Sequence, residues 1–96
     1  MAGYRLIRAA GRDLVDVWAY IAKDSPLNAD RFLDLIFKRV AMLGSNPYAG
    51  RNRDEVKQGL RSFPVGEFLI LYIIGKSKVE IVRVVHGRRD LSVLKI

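Results

Sequence analysis

Seven consecutive apolar residues, "FLILYII" from Phe68 to Ile74, constrain this chain more than any other stretch. The run is far too short to cross a membrane and has no polar face, so it predicts a strand buried on both sides. Its neighbours read the same way: "GLRSFPV" (Gly59 to Val65) precedes it and "KVEIVRVVHG" (Lys78 to Gly87) follows. The links Val65–Gly66–Glu67 and "GKSK" are short, so the three segments are expected to form an antiparallel meander. A strand apolar on both faces needs two covers.

One cover is encoded upstream. Leu14, Val17, Trp18 and Ile21 recur at helical spacing from Gly11 onward. Ser25 suits an N-cap and Pro26 the first helical position, opening a second stripe of Ala29, Phe32, Leu35, Ile36, Val40 and Leu43. Gly44 is the expected residue just past its end, with Pro47 soon after. "YRLIR" (Tyr4 to Arg8) reads as a short edge strand. The predicted class is α+β: an N-terminal strand and an α-helical hairpin packed on a three- to four-stranded antiparallel sheet, in one domain spanning 1–96.

Strict alternation along the last strand puts Val79, Ile81 and Val85 on one face and Val82 and Val84 on the other. Two helices can cover only one face of the sheet. The second is left for the tail "LSVLKI", the 44–59 loop, self-association or a partner, since an open apolar face usually marks an interaction surface.

Charge narrows the kind of partner. Residues 1–50 carry seven Lys/Arg against five Asp/Glu, and residues 51–96 carry ten against five, for a formal net charge of +7. A basic half points to a polyanion, either nucleic acid or an acidic protein surface. The chain has no cysteine and one histidine, so disulfides, thiolate catalysis and Cys-based zinc sites are excluded, and no metal centre or cofactor is expected. With no membrane-length apolar run and no signal-like h-region near the N-terminus, the expected location is the cytoplasm.

Two stretches carry chemistry. In "RVVHGRRDL" (Arg83 to Leu91) the apolar strand stops at a basic cluster. RNA cleavage needs two proton carriers and cations for the phosphorane. His86 supplies one carrier and Arg61, Arg88 and Arg89 the cations, while Glu55, Glu67 and Tyr72 compete weakly for the second role. Tyr72 is expected to point into the sheet, so the site is incomplete as a nuclease. Gly87 permits a positive φ or a bulge that would turn Arg88 and Arg89 outward, where Asp90 either pairs with one of them or caps the turn. The second stretch is the long loop "NPYAGRNRDEVKQGLR" (Asn46 to Arg61), with Arg51, Arg53, Lys57, Arg61 and the aromatic Tyr48. An aromatic beside cations is how single-stranded nucleic acid is often held, although Asp54 and Glu55 dilute the signal.

"NPYAGR", "GLRSFPVGEFLILY" and "VRVVHGRRDL", in that order over nearly the whole chain, resemble the RelE/ParE superfamily of type II toxin–antitoxin modules, and the ParE branch most. The resemblance implies a toxin that inhibits DNA gyrase by protein–protein binding; the basic residues expected to make that contact are Arg61, Arg88 and Arg89, supported by Arg51 and Arg53. It also implies a cognate antitoxin, acidic and encoded by the adjacent gene, expected on the sheet face of Phe68, Ile70, Tyr72, Val82 and Val84. RelE-like members instead cleave mRNA on the ribosome, which would make His86, Arg61, Arg88 and Arg89 the catalytic set; "LSVLKI" lacks the tyrosine of that pattern. A non-toxic antitoxin-binding module is the third reading.

Overall fold

The structure, a computed structural model, describes residues 3–94 and 96. Strand β1 (Tyr4–Leu6) leads into helix α1 (Arg8–Ala22) and helix α2 (Pro26–Ser45); β2 (Arg51–Asn52), β3 (Leu60–Val65), β4 (Phe68–Ile74) and β5 (Val79–His86) follow. The sheet order is β1-β5-β4-β3-β2, which sets the doubly apolar "FLILYII" strand at its centre. β3, β4 and β5 form the expected antiparallel meander, and β1 lies parallel to β5 at one edge. The sheet has five strands rather than three or four because the long loop contributes β2, two residues paired with Ser62 and Arg61.

Tertiary contacts fix the helix ends where local sequence did not. Helix α1 starts three residues earlier than its stripe suggests, with no side-chain cap at Ile7. Instead the Ile7 N–H donates to the Ile81 carbonyl as β1 ends, and the Ile7 carbonyl accepts from Gly11 N. Helix α2 begins as read, with the Ser25 hydroxyl accepting from Asn28 N and Pro26 in the first turn. It does not stop at Gly44. The helix runs to Ser45, and Asn46 caps it through its side-chain amide on the Met42 carbonyl. Gly44 is required for closeness, since a Cβ there would lie 2.8 Å from the Gly3 carbonyl oxygen.

The helical hairpin covers one sheet face. Leu14, Val17, Ile36, Val40 and Leu43 pack on Val65, Phe68, Ile70, Tyr72, Val79, Ile81 and Val84. The alternation expected in β5 fails at one point: Leu71 lies opposite Arg83 and Tyr72 opposite Ile81, which leaves Val82 as an extra residue. Such a bulge inverts the parity of everything beyond it. Val84 therefore joins Val79 and Ile81 under the helices, and Val85 turns to the second face, the reverse of the simple pattern.

The second face is covered from within the chain. Leu60, Leu71 and Val85 are buried beneath Val56 of the loop and Leu91, Leu94 and Ile96 of the tail. The tail and the loop, among the covers the sequence left open, take that place. No described helix is long and apolar enough to cross a membrane.

Candidate functional site

The basic residues singled out in the sequence lie in two clusters at opposite ends of the meander. The first is built on Tyr72. Its side chain is fully buried at the centre of β4, yet its hydroxyl is not left bare: it donates to the Pro47 carbonyl at 2.7 Å and accepts from Gly50 N at 2.8 Å. Burial pushes this phenol above its ordinary value, against the pull of the Gly50 N–H and the nearby Arg61 charge, so it stays protonated and structural. Gly50 has to be glycine because a Cβ would approach the Tyr72 oxygen to 2.4 Å. The "NPYAG" turn is thus clamped to the middle strand.

The clamp presents a cation. Arg61 donates from Nη1 to the Gly50 carbonyl at 2.6 Å, and its guanidinium carbon lies 5.0 Å from the centre of the Tyr48 ring. Arg53 is committed inward, donating from Nε to the buried Ser62 hydroxyl at 2.9 Å and lying 3.6 Å from Glu55. Arg51 is exposed on β2. The loop between β2 and β3 closes on Asp54, whose carboxylate accepts from Gly59 N at 2.8 Å and from the Asn52 amide at 3.2 Å. Those bonds, the Gly59 one foremost, with Arg61 adding to them, hold Asp54 below the usual carboxylate range. Gly59 takes a φ of 84° there, a conformation other residues rarely adopt. Tyr48, Arg61 and this loop border an open cleft of about 470 Å³.

The second cluster ends β5. His86 packs edge-on against Phe68, with ring centres 5.5 Å apart, and its Nε2 is 4.0 Å from Glu67. Its Nδ1 accepts from Arg88 N at 3.2 Å, and its carbonyl accepts from Arg89 N. Gly87 does not take a positive φ. Its N–H donates to the Glu67 carbonyl, and a Cβ would crowd that same oxygen at 3.2 Å. Arg88 and Arg89 are exposed, and neither has a carboxylate within 4.0 Å among the described residues. Asp90 is free of both arginines. It caps the turn that follows, accepting from the Ser92 hydroxyl at 2.7 Å and from Ser92 N at 3.0 Å, which lowers its pKa.

These clusters do not converge on one point. Arg61 lies opposite Tyr72 in the sheet while His86 lies opposite Phe68, four residues along β4. At about 3.4 Å per residue that separates the two by roughly 14 Å along the strand alone. His86 and Arg61 therefore belong to different ends of the sheet. Phe68, Ile70, Tyr72 and Val84 also do not form an open face: they are buried under the helices, and Val82 lies on the opposite side against the tail cluster.

Two features escaped the sequence reading. Asp13 of α1 accepts from Arg83 Nε at 2.7 Å and Nη2 at 3.0 Å, and also from Val84 N at 2.9 Å. It seals the edge of β5 beyond the point where β1 ends, and its bonds raise the Arg83 pKa. The other is an apolar groove of about 340 Å³ between the helices, lined by Leu14, Val15, Trp18 and Leu33. Val15 is 67% exposed and Trp18 36%, although Trp18 was counted in the core stripe; its indole N–H donates to Asp30 at 2.8 Å. Val15 was the available signal, an apolar residue standing off the core stripe of its own helix.

Comparison with known proteins agrees with this architecture. A family model described as "ParE toxin of type II toxin-antitoxin system, parDE" matches residues 4–91. The chain is 28% identical over 91 residues to Toxin ParE1 of Mycobacterium tuberculosis, covering 93% of each chain. It is 30% identical over 87 residues to Toxin ParE1 of Caulobacter vibrioides, covering 90% of each. Among solved structures it superposes on a chain of the chromosomal ParDE system from P. aeruginosa with a TM-score of 0.76 at 22% identity, covering 90% of this chain and 96% of that one.

Proposed function

The chain belongs to the ParE toxin family of type II toxin–antitoxin systems, and on that premise we propose that it works in the cytoplasm as a protein-binding inhibitor of DNA gyrase, held inactive by a cognate antitoxin. The observation that carries this reading is the separation of the basic clusters. A nuclease needs its proton carriers and its phosphate-holding cations around one atom; Glu67, Arg88 and Arg89 lie beside His86, but Arg61 lies roughly 14 Å away along the sheet and the His86 Nδ1 is taken up by the Arg88 N–H. Surfaces that only bind have no such requirement. Arg88 and Arg89 project from a turn fixed by Gly87 and Asp90, and such free guanidinium pairs suit carboxylates of a partner protein. Arg51 and Arg61 form the second basic face; Arg53, spent on Ser62 and Glu55, supports it rather than touching the target.

What remains apolar and open supports a place for the antitoxin. With Phe68, Ile70, Tyr72 and Val84 in the core, the groove of Leu14, Val15, Trp18 and Leu33 is the surface suited to a partner's apolar segment. An acidic antitoxin from the adjacent gene would balance the net charge of +7.

The test is a gyrase supercoiling assay run beside a ribosome-dependent mRNA cleavage assay. Purified chain should inhibit supercoiling and cut no message. Arg88→Ala with Arg89→Ala should fold normally and weaken inhibition by roughly 30-fold or more, the scale for charges desolvated at an interface. Cleavage that disappears in His86→Ala would overturn the gyrase reading.

A further inference from the structure

The cleft beside Tyr48 adds to the Arg61 face an exposed aromatic, an amide and a second cation. Its volume, about 470 Å³, falls within the range of small-molecule sites. Tyr48 is 73% exposed; it covers the Arg61 guanidinium and leaves most of its ring to solvent. Arg61 is held at two points, the Gly50 carbonyl and that ring, so its guanidinium is fixed in place before any ligand arrives. Lys57, also in the lining, gives one hydrogen bond to the Ile96 main-chain oxygen. Arg61 has no Asp or Glu carboxylate within 4.0 Å among the described residues, whereas Lys57 is already engaged by the Ile96 oxygen at 2.8 Å. Gln58 adds an amide edge and Ile73 an apolar patch.

We propose that this cleft binds a nucleoside 5′-phosphate, with the base stacked on the open part of Tyr48, its edge against Gln58 and Asp54, and its phosphate on Arg61 and Lys57. Each requirement is met separately. A flat aromatic beside a guanidinium favours a π-faced ligand. A guanidinium with no carboxylate partner, beside an ammonium with donors to spare, favours a phosphate. Asp54, the one carboxylate in the lining, accepts from an amino group and repels phosphate, which selects an amino-bearing base and sets the ligand's orientation. The inference does not rest on which macromolecule the toxin inhibits.

The full chain, labelled with ¹⁵N, is titrated to about 10 mM with AMP, adenosine or inorganic phosphate, an affinity range in which weak sites are still read. AMP should cause saturable shifts at Gln58, Gly59 and Arg61, with adenosine and phosphate each about tenfold weaker. Tyr48→Ala should lose about tenfold in AMP affinity and Tyr48→Trp should retain it, since only stacking separates them. Lys57→Ala should weaken AMP and leave adenosine unchanged. The proposal falls if AMP gives no saturable shift, if phosphate alone matches AMP, or if Tyr48→Ala binds as tightly as the parent. It falls equally if a short acidic peptide shifts these residues where AMP does not.

Discussion

Tyr72 shows how one hydroxyl ties the middle of a sheet to a distant loop. Its partners, Pro47 O and Gly50 N, are main-chain groups that lose their hydrogen bonds if the oxygen is removed. Tyr72→Phe should therefore lower the free energy of unfolding by about 1–3 kcal/mol, read by chemical denaturation. The same variant should loosen Arg61, which rests on the Gly50 carbonyl. Asp54 and Asp90 lead to a pH expectation. Both are held below their ordinary value of 3.8 by hydrogen bonds that favour the charged form. A depressed folded-state pKa gives stability that is present above 3.8 and is lost as the pH falls below it, through the lower folded value. The melting temperature should drop in that acidic window, and the drop should be shallower in Asp54→Asn and Asp90→Asn. The sequence showed Asn-Pro-x-x-Gly and the strand tyrosine as separate signals; only the fold shows that they are two halves of one clamp. Asp13 was illegible for the same reason, because its partner Arg83 is 70 positions away.

Elements were legible where their pattern is local. The meander, the Ser25–Pro26 helix start and the edge strand were all written in spacing and punctuation. What failed was decided by neighbours: the start of α1 by the β1–β5 pairing, and the facing of Val84 and Val85 by one extra residue in β5. Glycines in the two helices make a paired test of this distinction. Gly11 lies within α1, where a Cβ would meet nothing within 4 Å. Gly11→Ala should raise stability by roughly 0.5–1 kcal/mol, because alanine loses less backbone entropy on entering a helix. Gly44→Ala should do the opposite, since its Cβ would press on the Gly3 backbone. Thermal melts of the two variants should move in opposite directions. The edge of β3 is also managed locally. Residues 61, 63 and 65 face β4 in the tight hairpin, so Pro64 turns the side that lacks an N–H outward, where β2 no longer covers the strand.

At the scale of the whole molecule, the sheet separates a thick helical cover from a thin one made by a loop and a tail. The thin cover rests on Leu91, Leu94 and Ile96 over Leu60, Leu71 and Val85. Leu91→Ser with Leu94→Ser should lower stability by about 2 kcal/mol and expose a dye-binding apolar face, while far-UV dichroism stays nearly unchanged. The two covers also differ in where they come from along the chain, and β1 carries this furthest. Tyr4–Leu6 has no strand to pair with until Val79–Ile81 exists, and Arg5 meets Glu80 across 75 positions. A ribosome adding about 5–20 residues per second therefore releases the helical hairpin seconds before the strand that completes the sheet. Arg88 and Arg89 follow that strand directly, so the growing chain completes its sheet and presents this exposed arginine pair together.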